Sequence, residues 1–218
     1  MKKTITVKGV GKASLKPDLI VISIYLESLD MEYRQTMIKA ESSVRKLLDA
    51  LESAGFSRND VKTVSFAVTT RYESYQEENT YKNRFIGYVC EQGLKLEFAF
   101  DSDQLAEVIE VISALESNPR LDIRFTVKDQ AAVNRLLLES AASSARTKAE
   151  ILAAASGVTL GELIKIDYNW QDIQIYSPTA YARDGVMSGK AAFAESAPEI
   201  NPDDIQVSDQ VTLVWAIH

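Results

Sequence analysis

The 218 residues read as an α+β fold, two βαββ-like halves with long antiparallel strands and long helices packed on the sheets. Three observations carry that reading. β-Branched or alternating runs precede long amphipathic segments: LIVISIYLE (19–27) leads into a helical period from Met31 to Ala54. Leu121, Ile123, Phe125 and Val127 likewise lead into ESAASSARTKAEILAAASG (139–157). Glycines then follow both helical segments, Gly55 and Gly157, where a helix end commonly takes the left-handed region. Finally, laying Gly55 on Gly157, 102 positions later, brings Pro17 onto Pro119, Leu19 onto Leu121, Ala40 onto Ala142, Val64 onto Ile166 and Phe66 onto Tyr168. The chain therefore reads as one domain over 1–218. An internal duplication, 1–100 and 119–218 joined by a helix at 101–117, or the agreement any two βαββ units share would give this register.

Taken in order, Thr4–Leu15 alternates apolar and polar residues around Gly9 and Gly11, which predicts a strand with a bulge or bend. Pro17-Asp18 punctuates it before the strand 19–27. Met37, Ala40, Val44, Leu47 and Leu51 define the apolar face of the first helix. Val61–Tyr75 is a long strand alternating at Val64, Phe66 and Val68, and EENTYKN is the hairpin loop before the return from Arg84 to Phe100. Asp101 with Gln104 has the pattern of a capping box ahead of Leu105, Val108, Ile109, Ile112 and Leu115. The 121–127 strand, the helix through 139–157, and strands from Leu160 to Trp170 and Ile205 to Ile217 complete the order. The long stretch Asp172–Asp203 between the last two reads as a disordered segment, an arm ordered on a neighbouring subunit, or a ligand lid.

Alanine and serine crowd the second long helix. Leu138, Ala142, Ala145, Ala149, Leu152 and Ser156 follow spacings of three and four and form a stripe. Methyl-sized side chains bury little area but let two backbones approach closely. The partner is the sheet, the sister helix or another subunit. Ala142, Ala145 and Ala149 are the interface candidates, joined by Trp170, Tyr176, Tyr181 and Phe193 from the following strand and arm.

The chemical inventory is narrow. The net charge is −7 with a pI ≈ 4.9, and Lys2, Lys3, Lys8, Lys12 and Lys16 are spread rather than clustered, which argues against nucleic acid as a partner. Cys90 is the only cysteine and His218 the only histidine. No zinc set or intramolecular disulfide can be built from them, and a Ser-His-Asp or Cys-His arrangement would have to run through the last residue, where chain ends tend to fray. Glu73, Glu77 and Glu78 near the hairpin tip match no calcium loop and read as solvated charge, and the neighbouring Tyr72, Tyr75 and Tyr81 as hairpin packing or contacts. RDGVMSGK lacks the strand-to-helix setting of a phosphate loop. No cofactor and no metal is expected. No segment has the length of a membrane span, and without a signal sequence the chain reads as cytoplasmic; a leader already removed would place it in the periplasm.

GVGKASLKPDLIVISIYLES, SARTKAEILAAASGVTLGELIKI and PDDIQVSDQVTLVWAI, in this order, resemble the SIMPL-domain family, a family of unknown function. The resemblance implies an α+β fold with long antiparallel strands, bacterial members often exported to the periplasm or outer envelope, and homo-oligomeric rings or hollow assemblies in some. It also implies links to oxidative or envelope stress and supplies no catalytic residues. The sequence-level expectation is a non-enzymatic homo-oligomeric assembly or scaffold protein with a role in scaffolding or stress protection. Two alternatives stand beside it: a small-ligand binding module capped by the 172–203 arm, and an enzyme working through carboxylates or tyrosines.

Overall fold

The computed structural model of the chain describes residues 3–77, 80–169, 172–183 and 200–218. Its elements run β1 (Thr4–Leu15), β2 (Leu19–Asp30), α1 (Tyr33–Ser53), β3 (Val61–Glu77), β4 (Thr80–Ala99), α2 (Ser102–Ser113), β5 (Arg120–Thr126), α3 (Gln130–Ala155), β6 (Leu160–Asp167), β7 (Tyr176–Arg183) and β8 (Ile205–Ile217). They form two compact units interleaved along the chain: Met1–Asp18, Thr126–Pro178 and Asp203–His218 make one, Leu19–Phe125 and Thr179–Pro202 the other.

In the first unit a three-stranded sheet has the order β1-β8-β6. β1 pairs antiparallel with β8 without a break, from Thr4 opposite Ala216 to Leu15 opposite Ile205. The bulge expected at Gly9 and Gly11 is absent, since both glycines sit in the regular ladder opposite Val211 and Asp209. Their reason lies above the sheet. α3 crosses β1, and an added Cβ on Gly9 would stand 2.7 Å from Ala145 Cβ. Gly11 is equally short of room beneath Ala141, 2.9 Å to its nitrogen. α3 begins at Gln130, nine residues ahead of the segment that announces it in sequence, because Asp129 caps it by accepting from the Ala132 N–H at 2.8 Å. Gly157 ends it at φ 69°, as Gly55 ends α1 at φ 87°.

The second unit carries a five-stranded sheet in the order β3-β4-β2-β5-β7. β4 pairs antiparallel with β2 and with β3. Ile20, Ile22, Ile24 and Leu26 of β2, with Leu94 and Leu96 of β4, present one face to Leu47 and Leu51 of α1 and to Leu105, Val108 and Ile112 of α2. Asp101 caps α2 through the N–H groups of Asp103 (2.9 Å) and Gln104 (3.0 Å). In β5, Leu121, Ile123 and Phe125 are buried on a single face, as their alternation requires. α1 is pinned at its start by Thr36, which is fully buried; its hydroxyl lies 3.0 Å from the Glu32 carbonyl oxygen and 3.2 Å from that of Tyr88. Part of the 172–203 stretch is β7, a strand at the sheet edge, the kind of strand in which a proline such as Pro178 is tolerated.

Candidate functional site

The buried row of α3 is Val133, Leu137, Ala141, Ala145, Ala149 and Ala153, a strict repeat of four. Geometry explains the period. Two residues along a strand advance about 6.7 Å, and four residues along a helix advance about 6.0 Å. A strand lying on the i±4 ridge can thus meet one helix residue with every inward side chain it has. Gly9 meets Ala141 and Ala145, and Gly11 meets Leu137 and Ala141, while Val7 joins the alanines in the core. The stripe read from mixed spacings of three and four is therefore turned from the true one. Ala145 and Ala149 have no solvent exposure, whereas Ala142, Leu138, Leu152 and Ser156 are exposed.

The other nominated residues are not brought together with them. Tyr176 is half-buried at the start of β7, and Tyr181 packs against the core of the five-stranded unit. Trp170 and Phe193 lie outside the described residues, as do Met187, Glu78 and residues 184–199.

Sequence reasoning missed the surface that the strand edges leave open. β3 and β6 end their respective sheets. On β3, Val64 and Phe66 are 56% and 53% exposed, and on β6, Leu163 and Ile166 are 45% and 62% exposed. Register shows their direction. Phe66 stands opposite Gln92, in line with Leu94 and Leu96, and Leu163 and Ile166 stand opposite Trp215 and Leu213. All three point to the side of the sheet that carries the helix. Both edges are also irregular, with register shifts at Thr63/Ser65 and Arg71/Tyr72 in β3 and two in β6. Beyond Phe66 the hairpin carries an aromatic series, Tyr72–Phe85–Tyr88, which Tyr33 of α1 extends, with ring centroids 5.6, 5.4 and 5.7 Å apart. Tyr81 is 78% exposed. The signal available in sequence was composition alone, because Val64, Phe66 and Val68 alternate as a core strand would.

Several titratable groups are held in structural pairs. Arg71 donates to both carboxylate oxygens of Glu27, with Glu91 3.5 Å away; the Arg71 hydrogen bond holds the Glu27 carboxyl below its ordinary range. Glu73 is paired with Arg84 at 2.6 Å. Cys90 is buried, and desolvation, with help from Glu91, pushes its thiol upward, away from nucleophilic character at neutral pH. Tyr168 is raised by burial and by its hydrogen bond to Asp209 at 2.9 Å. His218 is tied to Thr159 by two backbone hydrogen bonds of 2.9 and 3.0 Å. Among the described residues, no three His, Cys, Asp or Glu side chains gather as a metal-binding set.

The model of the SIMPL family, described as a protein of unknown function (DUF541), matches residues 5–215. The chain belongs to the SIMPL family. Two related proteins of this kind, each named 26 kDa periplasmic immunogenic protein, come from Brucella melitensis and Brucella abortus. Each is 24% identical over 163 residues, a match covering 74% of this chain and 65% of the relative. No helix among the described residues is long and apolar enough to cross a membrane.

Proposed function

We propose that the chain is a non-enzymatic, self-assembling SIMPL protein of the bacterial periplasm that serves as a scaffold or in stress protection. The observation that carries this reading is the pair of open apolar edges, β3 with Val64 and Phe66 and β6 with Leu163 and Ile166. Phe66 on β3 and Leu163 with Ile166 on β6, each on the helix-bearing side of its sheet, are what an interface covers and a solitary monomer rarely leaves exposed. Irregular edges disfavour open-ended strand addition, which leaves side-chain packing and a closed assembly. The periplasmic location is carried over from the names of the Brucella relatives.

Sedimentation equilibrium tests the reading. The wild-type chain should associate at micromolar concentration, and Phe66→Lys with Ile166→Lys should leave a folded monomer. A wild-type chain that stays monomeric throughout, or a double variant that associates unchanged, overturns it.

A further inference from the structure

α1 packs on β2 and β4, and a groove follows its flank toward β3. Gln92 of β4 lines this groove, and the exposed Phe66 is its ladder partner on β3. Along the helix the groove is bordered by Arg34, Ile38, Glu41 and Arg45, all exposed, and their spacings of four, three and four put them on one stripe. Half-buried Met37 lies just inside it. The charges on the stripe are unevenly satisfied. Arg45 is paired with one carboxylate oxygen of Glu41 at 2.6 Å, whereas Arg34 makes no hydrogen bond or ion pair with a described residue. Arg34 and Glu41 are seven residues apart, about 10.5 Å along the axis, too far to pair within one helix.

We propose that this stripe is a two-fold interface, on which α1 of a second copy lies antiparallel with the axis between Met37 and Ile38. Arg34 then pairs with the partner subunit's Glu41, and Glu41 with the partner subunit's Arg34. The inference rests on the self-assembly reading and names the contact made on the β3 side. Charge complementarity selects the arrangement. An axis midway between Arg34 and Glu41 satisfies both groups twice over and sets Met37 against Ile38 at the centre. An axis midway between Arg34 and Arg45 would bring two guanidinium groups together, and parallel helices would set every charge against its own copy. The antiparallel stripe is therefore self-complementary, as an interface that uses one patch on both subunits requires. Phe66 continues the patch across the groove, so the same contact covers its ring.

Sedimentation equilibrium of the full chain with Ile166→Lys, which removes the β6 contact, tests it. Into this background go Arg34→Glu and Glu41→Arg, each studied alone and then in an equimolar mixture. Each substitution alone turns both ion pairs into like-charge contacts and should move association to at least tenfold higher concentration, about 1.4 kcal/mol. In the mixture, a dimer of the two variants regains both pairs: the introduced carboxylate faces the introduced guanidinium, and native Glu41 faces native Arg34. Association of the mixture should return close to that of the background chain. Recovery on mixing reports a contact between copies, because mixing repairs neither chain's own fold. Variants that associate as the background does, a mixture no stronger than its components, or a background chain that is already monomeric overturns the proposal and leaves the self-assembly reading standing. An unsubstituted chain that stays monomeric overturns both.

Discussion

Gly9→Ala adds a single methyl group at the tightest point between α3 and β1. Its Cβ would stand 2.7 Å from Ala145 Cβ and closer still to the Ala141 carbonyl oxygen, where ordinary contact begins at 3.4 Å. Strand and helix must part by about 1 Å or more, because the 2.0 Å contact with the Ala141 oxygen falls 3.4 − 2.0 = 1.4 Å short of ordinary contact. The obstacle is backbone rather than the end of a flexible side chain, so local rotamer changes cannot absorb it. A gap of that order forfeits about a quarter to a half of each dispersion contact along the row. Overpacking typically costs 1–3 kcal/mol, and a backbone clash belongs at the upper end, about 3 kcal/mol. The lower backbone entropy of alanine returns less than about 1 kcal/mol. The net expectation is a loss of about 2 kcal/mol, read as a fall in the urea midpoint at constant slope. A midpoint within about 0.5 kcal/mol of wild type would refute the close approach that this account assigns to the alanine row.

Ala145→Leu should cost about 2–3 kcal/mol in the same assay, while Ala142→Leu, on the exposed side of the helix, should stay within about 0.5 kcal/mol; equal effects would mean that the helix is turned differently. Gln92→Leu should raise stability by about 1 kcal/mol, because it removes a buried oxygen that no protein group satisfies, and a loss would assign Gln92 a structural partner. Cys90 should resist a disulfide reagent in the native chain at pH 8 and react once urea unfolds it; rapid native labelling would contradict its burial. For Glu27, the folded carboxyl titrates below its ordinary 4.5, so its contribution is present above that pH and fades as pH falls through the lowered value. The pair is half-exposed, so the contribution stays under about 1 kcal/mol. Arg71→Gln should return the Glu27 titration, followed by NMR, to the ordinary range.

Elements with strong alternation were legible before the structure. β1 and β8 begin and end where their patterns do, and the Asp101 cap and the two helix-ending glycines occur as read. What escaped the sequence depends on contacts distant along the chain. Gly9 and Gly11 look like strand breakers until α3 is laid over them. The α3 row was misplaced because an amphipathic template of threes and fours assumes a straight face, whereas a strand lying on the i±4 ridge selects every fourth residue. The nine residues missed at the start of α3 had one local signal, the capping Asp129. β7 hid behind Pro178 and small side chains, which an edge strand tolerates. The open β3 and β6 edges had no sequence signature, because whether an apolar residue is covered is decided by how far a helix reaches across its sheet.

Hydrogen–deuterium exchange at concentrations either side of association addresses the central claim, that α3's alanines serve the inside of the protein and the strand edges its surface for partners. The account predicts that amides around Val64–Val68 and Leu163–Ile166 slow as the chain associates, while those of Ala141–Ala153 are already slow and do not change. Slowing confined to α3, with the β3 and β6 edges unaffected, would contradict it.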